Sequence, residues 1–200
     1  MKLSILIPTT PDRFEVLSRL LHLLRQQIGD ADTITSDDIK SIYSKDVEIL
    51  IYNTPLAADG GPSIGQKRQR LLNIAQGEYV SFFDSDDMPG DEYISEIMKG
   101  IYLGVDCCSL KGIYYIDSVP VKPFIHSIRF QKYDENDQFF ERYPNHLNAI
   151  RADIAKRFQF VNKNHGEDTE WATQIYKSGR LKTEFYIEDV IYHYYDKTNK

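Results

Sequence analysis

The first apolar run, Lys2-Leu3-Ser4-Ile5-Leu6-Ile7-Pro8, reads as a buried first strand. Thr9-Thr10-Pro11-Asp12 then opens a helix, with Asp12 near its positive end. Phe14, Leu17, Leu20, Leu21 and Leu24 recur along it at helical spacing. Residues 29–46 are polar and predict a loop with a short helical turn. Val47 to Tyr52 reads as a second strand, followed by the glycine-bearing loop Asp59-Gly60-Gly61-Pro62-Ser63-Ile64-Gly65. Gln66 to Ala75 predicts a helix with Leu71, Leu72 and Ala75 inward and Gly77 as its stop. The strand Tyr79–Phe83 comes next, and Pro89 opens a helix carrying Tyr93, Ile94, Ile97, Met98 and Ile101. Strand, helix, strand, helix, strand is the order of a mostly parallel sheet with right-handed crossovers.

The second half is less regular. Residues 105–117, 124–133 and 183–195 read as strands rich in β-branched and aromatic side chains, and 149–158 and 167–178 as helices. The fold class is therefore α/β: a mostly parallel central sheet flanked by helices, with a small antiparallel section in the C-terminal half. No repeat, low-complexity tract or linker divides the chain, so one domain over residues 1–200 is expected.

Composition narrows the function classes. A formal net charge of −6 argues against a general nucleic-acid binder. No apolar run is long enough to cross a bilayer, and no signal-peptide pattern is seen. Cys107 and Cys108 are adjacent in a predicted strand, where neighbours point to opposite faces, so they are not expected to pair. A reducing, cytoplasmic compartment is the expectation.

The chemistry concentrates at Asp84-Ser85-Asp86-Asp87, directly after the strand ending at Phe83. Clustered carboxylates repel unless a cation or tight hydrogen bonds neutralise them. In an open α/β sheet the carboxyl ends of the strands are where ligands bind. A divalent ion and the phosphates it carries fit this position, because carboxylate oxygens are hard ligands. Met88 and Pro89 exclude an EF-hand; the alternative is a helix cap from Ser85 or Asp87.

Three further groups stand out. In His165-Gly166-Glu167-Asp168-Thr169-Glu170-Trp171, Asp168 can serve as a general base, or the acids can simply favour a helix start. In Tyr192-His193-Tyr194-Tyr195, His193 is a metal ligand or a structural residue. Lys67, Arg68 and Arg70 beside the glycine loop, with Arg13 as a weaker companion, can neutralise a diphosphate or form a solvated face.

Taken in order, these pieces resemble the family 2 glycosyltransferases of the GT-A fold, from Leu3 to about Tyr195. Ser4-Ile5-Leu6-Ile7-Pro8-Thr9 resembles the strand entering the nucleotide site. Lys67-Arg68-Gln69 through Ala75-Gln76-Gly77-Glu78-Tyr79 resembles the helix and turn before the metal motif. Phe83-Asp84-Ser85-Asp86-Asp87 resembles the DxD motif, and Gly166-Glu167-Asp168 with Trp171 the ED motif. Two positions depart: Gln69 stands where the family often has asparagine, and Asn53 where it often has an acid.

The resemblance implies inverting, metal-dependent transfer of a sugar from a nucleotide-diphosphate sugar, a UDP-sugar first, to an acceptor hydroxyl, most simply of a saccharide. It implies a nucleotide-sugar half at about 1–104 and an acceptor half at about 105–200. Asp168 is the implied base. Pro8, Thr9, Thr10, Arg13, Asn53, Lys67, Arg68, Asp84, Ser85 and Asp86 are the implied donor residues. Mn²⁺ or Mg²⁺ is expected on Asp86, with Asp84, Asp87 and His193 as candidate co-ligands. Glu167, Trp171, His146 and Asn148 are expected on the acceptor side, the last two from the polar segment Arg142–Asn148. The competing readings are a sugar-nucleotide nucleotidyltransferase, whose glycine-rich signature Thr9-Thr10-Pro11-Asp12-Arg13 does not supply, and a binding protein that has lost turnover.

Overall fold

A computed structural model describes residues 1–36, 38–56, 58 and 60–196; Asp59 of the glycine loop lies outside them. Strand β1 (Leu3–Thr9) is buried along its whole length. A 3₁₀ turn at Pro11–Arg13 leads into α1 (Phe14–Ile28), which turns Leu17, Leu20 and Leu24 inward. At 29–46 the expected loop is instead an antiparallel hairpin, β2 (Asp32–Ser36) and β3 (Ile39–Tyr43). β2 is exposed throughout, so it carries no burial alternation for a pattern to reveal. β4 (Val47–Asn53) follows, then α2 (Ile64–Ile74), which begins two residues before Gln66. A capping box fixes that start: Ser63 Oγ accepts from the Gln66 N–H at 3.2 Å and Gln66 Oε1 from the Ser63 N–H at 2.9 Å. β5 (Tyr79–Phe82), β6 (Met88–Pro89) and α3 (Tyr93–Leu103) complete the first half. α3 starts at Tyr93 because Pro89 is held extended in a bridge and the Gly90 N–H donates to the Ile191 carbonyl at 2.9 Å.

The predicted strand 105–117 is two strands, β7 (Cys107–Cys108) and β8 (Leu110–Ile116), in different sheets. Ser109 marks the break: its N–H donates to the Phe185 carbonyl and its Oγ accepts from the Ile187 N–H. β9 (Val119–His126) returns along β8 and ends at His126, so residues 127–133 of the expected strand are irregular. β10 (Asp134–Glu135), β11 (Phe140–Arg142) and β12 (Ile150–Arg151) are short. The helix expected at 149–158 shrinks to α4 (Ala152–Ala155), because Ile150 and Arg151 pair with β5. α5 (Glu167–Ser178) stands as expected. The strand expected at 183–195 divides into β13 (Glu184–Phe185) and β14 (Tyr192–Asp196).

One sheet has the order β13-β7-β12-β5-β1-β4-β3-β2, and the other β10-β11-β9-β8-β14-β6. β1 runs parallel to both neighbours, with Leu3 opposite Val47 and Tyr79, and Leu6 opposite Leu50 and Phe82. The antiparallel part is thus larger than the sequence suggests. The strand period of two divides β1 between layers. Leu3, Ile5 and Ile7 pack with Leu17, Leu20 and Leu24 of α1 and Ile97 of α3. Leu6 packs with Leu71 and Leu72 of α2 and Trp171 and Ile175 of α5. Truncating a fully buried leucine such as Leu20 or Leu71 to alanine costs about 2–5 kcal/mol. Both cysteines are free and buried, and burial pushes the Cys108 thiol up to about 12. Among the described residues no helix is long and apolar enough to cross a membrane.

Candidate active site

The acidic turn Asp84–Asp87 lies between the end of β5 in one sheet and β6 in the other. A cavity of about 790 Å³ opens there. Its walls include Pro8, Thr9 and Thr10 at the end of β1, Asp12 and Arg13 from the 3₁₀ turn, and Arg68 from α2. Asp84, Asp86 and Asp87 form one side, Gly166, Glu167 and Asp168 at the start of α5 another, and Tyr194, Tyr195 and Asp196 of β14 a third. Gly166 has φ of +77°, a left-handed conformation that glycine adopts freely, and this bend starts α5 with its acids on the cavity.

Each acid of the turn has a different environment. Asp87 is buried; its Oδ2 accepts from the Tyr192 hydroxyl at 2.7 Å and its Oδ1 from the Tyr195 N–H at 2.8 Å. Burial and then the nearby Asp84 charge push its carboxyl above the ordinary range. Asp84 Oδ1 pairs with Arg68 Nη2 at 2.8 Å. Burial pushes Asp84 up, but Arg68 and His146 outweigh it and hold the carboxyl far below its usual value. Asp86 Oδ1 pairs with Arg13 Nη1 at 2.9 Å, and both side chains are partly exposed.

Arg68 links the turn to α5. Its Nε donates to Glu167 Oε1 at 3.0 Å, and its guanidinium lies 5.5 Å from the Phe82 ring centroid. Burial disfavours the charge, but Asp84, Glu167 and Asp168 more than restore it. Of the two α5 acids on the cavity wall, Asp168 is the more open: its side chain is 31% exposed against 4% for Glu167. Burial raises the Asp168 carboxyl, yet His146 and Arg68 together bring it below its ordinary value.

α2 and the loop before α5 are joined. Gly65 N–H donates to the Lys163 carbonyl at 3.0 Å, Ile64 N–H to Asn164 Oδ1 at 3.0 Å, and Ser63 Oγ to Asn162 Oδ1 at 2.7 Å. A Cβ on Gly65 would meet the Val161 carbonyl oxygen at 1.9 Å, so only glycine fits.

Of the residues expected at the donor site, Pro8, Thr9, Thr10, Arg13, Arg68, Asp84 and Asp86 line the cavity. Lys67 does not. It is fully buried and its ammonium donates to the carbonyls of Thr9, at 2.7 Å, and Thr54, pinning the ends of the strand walls; burial brings its pKa down to about 8. Asn53 ends β4 exposed and off the cavity wall, where Pro55 and Leu56 stand instead. Ser85 is buried behind the wall, and its hydroxyl accepts from Arg13 at 3.3 Å. On the acceptor side only Glu167 reaches the cavity. Trp171 is core, stacked on Phe160 with centroids 4.8 Å apart. Asn148 is buried and donates to the Cys108 carbonyl at 2.9 Å. His146 is also buried, behind Asp84 and Asp168. His193 is off the wall too: it pairs with Met88 across strands and its Nδ1 lies 3.1 Å from Tyr115 Oη. Asp196, from the same strand, also lines the cavity, and its hint in the sequence is an acid ending an aromatic run.

Asp84 is engaged by Arg68, Asp87 by Tyr192 and Tyr195, and His193 lies elsewhere. Among the described residues no group of three or more His, Cys, Asp or Glu side chains converges to hold a metal. Asp86, on the wall with its Oδ1 paired to Arg13, is the most open acid of the turn and offers a hard oxygen donor. That fits Mg²⁺ or Mn²⁺ bound through one or two carboxylates, with waters and substrate phosphates completing the shell.

Known proteins with related sequences or folds bear on this site. No protein-family model matches the chain. It is 34% identical over 131 residues to a poly(ribitol-phosphate) beta-glucosyltransferase of Bacillus spizizenii, an alignment covering 56% of this chain and 20% of that protein. S. aureus TarS 1-349 in complex with UDP-GlcNAc superimposes with a TM-score of 0.68 at 14% identity, over 100% of this chain and 60% of that one. The complex of the same TarS fragment with UDP gives 0.66 at 16% identity, over 98% and 61%. The fold is GT-A-like, matching that of TarS. The resemblance to family 2 glycosyltransferases is borne out in sequence by the Bacillus relative and in fold by TarS. The chain spans a fifth of the curated relative's length.

Proposed function

We propose that this GT-A domain transfers a sugar from a nucleotide-diphosphate sugar, a UDP-sugar first, to an acceptor hydroxyl with inversion at the anomeric carbon. The observation that carries the reading is that Asp86 and Asp168, from sequence-remote motifs, line one cavity. TarS was captured with UDP-GlcNAc and with UDP in a related fold, which supports a UDP-sugar donor. The name of the Bacillus relative makes polyol phosphates acceptors to test beside saccharides.

Each side chain has a role in this reading. Thr9 and Thr10 form the wall along which the nucleoside lies. Arg13 and Arg68 carry positive charge on the side where a diphosphate leaving group gains negative charge. Asp168 accepts the proton of the attacking hydroxyl. Glu167 is clamped by Arg68 and nearly closed to solvent, which leaves Asp168 as the available base of the pair. A single displacement needs one such base and an assisted leaving group. Mn²⁺ or Mg²⁺, held by Asp86 and donor phosphate oxygens, would supply Lewis-acid stabilisation of the leaving group. Two buried, unpaired thiols accord with action in the cytoplasm.

The test is a thermal-shift screen of nucleotide sugars with and without Mn²⁺, followed by transfer assays with the donor that binds. One UDP-sugar should raise the melting temperature, since a ligand of the folded state stabilises it. Asp168→Asn should keep that shift and lose transfer. Absence of any nucleotide-sugar shift would refute the proposal; release of pyrophosphate from a nucleoside triphosphate would point to a nucleotidyltransferase.

A further inference from the structure

His146 occupies a place that the proposed chemistry leaves unexplained. Its side chain is 4% exposed, and its two ring nitrogens face two different acids. Nε2 lies 3.4 Å from Asp84 Oδ2 and Nδ1 lies 3.5 Å from Asp168 Oδ2. Nδ1 is buried without a hydrogen-bond partner. A buried polar atom normally finds a partner, so an orphan calls for an explanation.

The backbone around the ring is fixed. The Phe82 N–H donates to the His146 carbonyl at 2.8 Å, and Ser81 Oγ donates to the Leu147 carbonyl at 2.9 Å. Asn145 Oδ1 accepts from the Leu147 N–H at 3.0 Å, and Asn148 Oδ1 from the Asn145 N–H at 3.0 Å. The imidazole is thus anchored to β5, the strand that delivers the acidic turn. Asp168, by contrast, stands in the first turn of α5 just after the Gly166 bend. A small shift of that turn would close the 3.5 Å gap into a hydrogen bond. Catalytic hydrogen bonds are often long in the free enzyme and tighten in the substrate complex.

We propose that His146 is a positioning residue that ties Asp168 to the acidic turn, so that the proton acceptor and the donor-side acid Asp84 keep one fixed geometry during transfer. The inference rests on the proposed glycosyl transfer. His146 is buried off the cavity wall, so it acts through Asp168. Misplacing a reacting group by about 1 Å can cost about 100-fold in rate.

The two nitrogens allow the role to be dissected. Asparagine at this position places its amide near Nδ1 and can still bond Asp168. Glutamine reaches the Nε2 position and can still bond Asp84. His146→Gln should lower kcat by about 10- to 100-fold, with donor affinity by calorimetry within about threefold of wild type. His146→Asn should recover part of that loss. In an Asp168→Asn background, His146→Gln should change the residual rate little, because two residues acting as a unit are not additive. A His146→Gln enzyme with wild-type kcat would overturn the inference while transfer by the wild type stands. So would a loss carried by donor affinity alone, equal losses in the Asn and Gln variants, or independent losses in the double variant. Should the wild type transfer no sugar, this inference falls with the function on which it rests.

Discussion

Arg13 Nη1 lies 2.9 Å from Asp86 Oδ1, so the 3₁₀ turn ahead of α1 neutralises an acid on the cavity wall. Both side chains are about a third exposed, which limits the strength of the pair. On the proposed reading, a cation at Asp86 would have to displace Arg13. Arg13→Gln should tighten Mn²⁺ binding to the protein alone, by about threefold to tenfold, as a fraction of a kcal/mol to 1.4 kcal/mol of competition disappears. The same variant should weaken nucleotide-diphosphate binding. Electron paramagnetic resonance of free Mn²⁺ and calorimetry with UDP would measure the two effects; Mn²⁺ affinity that falls with Arg13→Gln would contradict this view.

The environment of Asp168 sets a pH expectation. His146 and Arg68 outweigh burial and keep its carboxyl below the ordinary 3.8. A base with a depressed pKa is ionised above that value and is lost only as pH falls through it. The acid limb of kcat/KM attributable to Asp168 should therefore lie below 3.8, and His146→Gln should move it upward. Rate profiles of the two proteins, limited to the range in which both stay folded, would check the direction.

Arg68 is buried between two carboxylates, and its removal would leave Glu167 and Asp84 without their cation. Arg68→Met should destabilise the fold by about 3–5 kcal/mol. Arg68→Met with Glu167→Gln should recover part of that loss, since one uncompensated charge is gone. Urea unfolding of the wild type, single and double variants would show it.

His126 offers a stability test away from the cavity. Burial, then the charges of Arg142 and His146, push its pKa down from 6.5 to about 3. Folded His126 stays neutral over that interval while the unfolded chain takes up a proton. The unfolded state binds more protons there, so this contribution is complete above about 6.5 and is lost as pH falls toward about 3. His126→Asn should flatten the decline of stability between these limits, by up to about 1.4 kcal/mol per pH unit. Equal slopes for the two proteins in urea unfolding would count against it.

How much of this was legible in the chain depends on which signal each residue carries. β1, β4, β5 and the helices α1, α2 and α5 declare themselves because one face or a whole strand is apolar. β2 does not, because it is exposed on both faces. The breaks at Ser109 and between β13 and β14 are tertiary decisions, made by backbone partners from distant segments. Asp86, Arg68 and Asp168, singled out by their motifs, all line the cavity. Lys67 and His193 have the same charge chemistry on paper. His193 follows the strand pleat, where a shift of one residue reverses its direction, and Lys67 follows helix phase, where one residue turns it by about 100°.

Gly65 does not itself line the cavity, yet its bare Cα lets the start of α2 lie against the Val161 carbonyl and hold the 161–164 loop ahead of Asp168. Gly65→Ala would force that contact apart and loosen the approach to Asp168. A blind genetic screen would score the position as severely as a proton acceptor, though it carries no side chain to react. Apparent essentiality at Gly65 would report on scaffolding, and a soluble, folded but slow protein would be its biochemical signature.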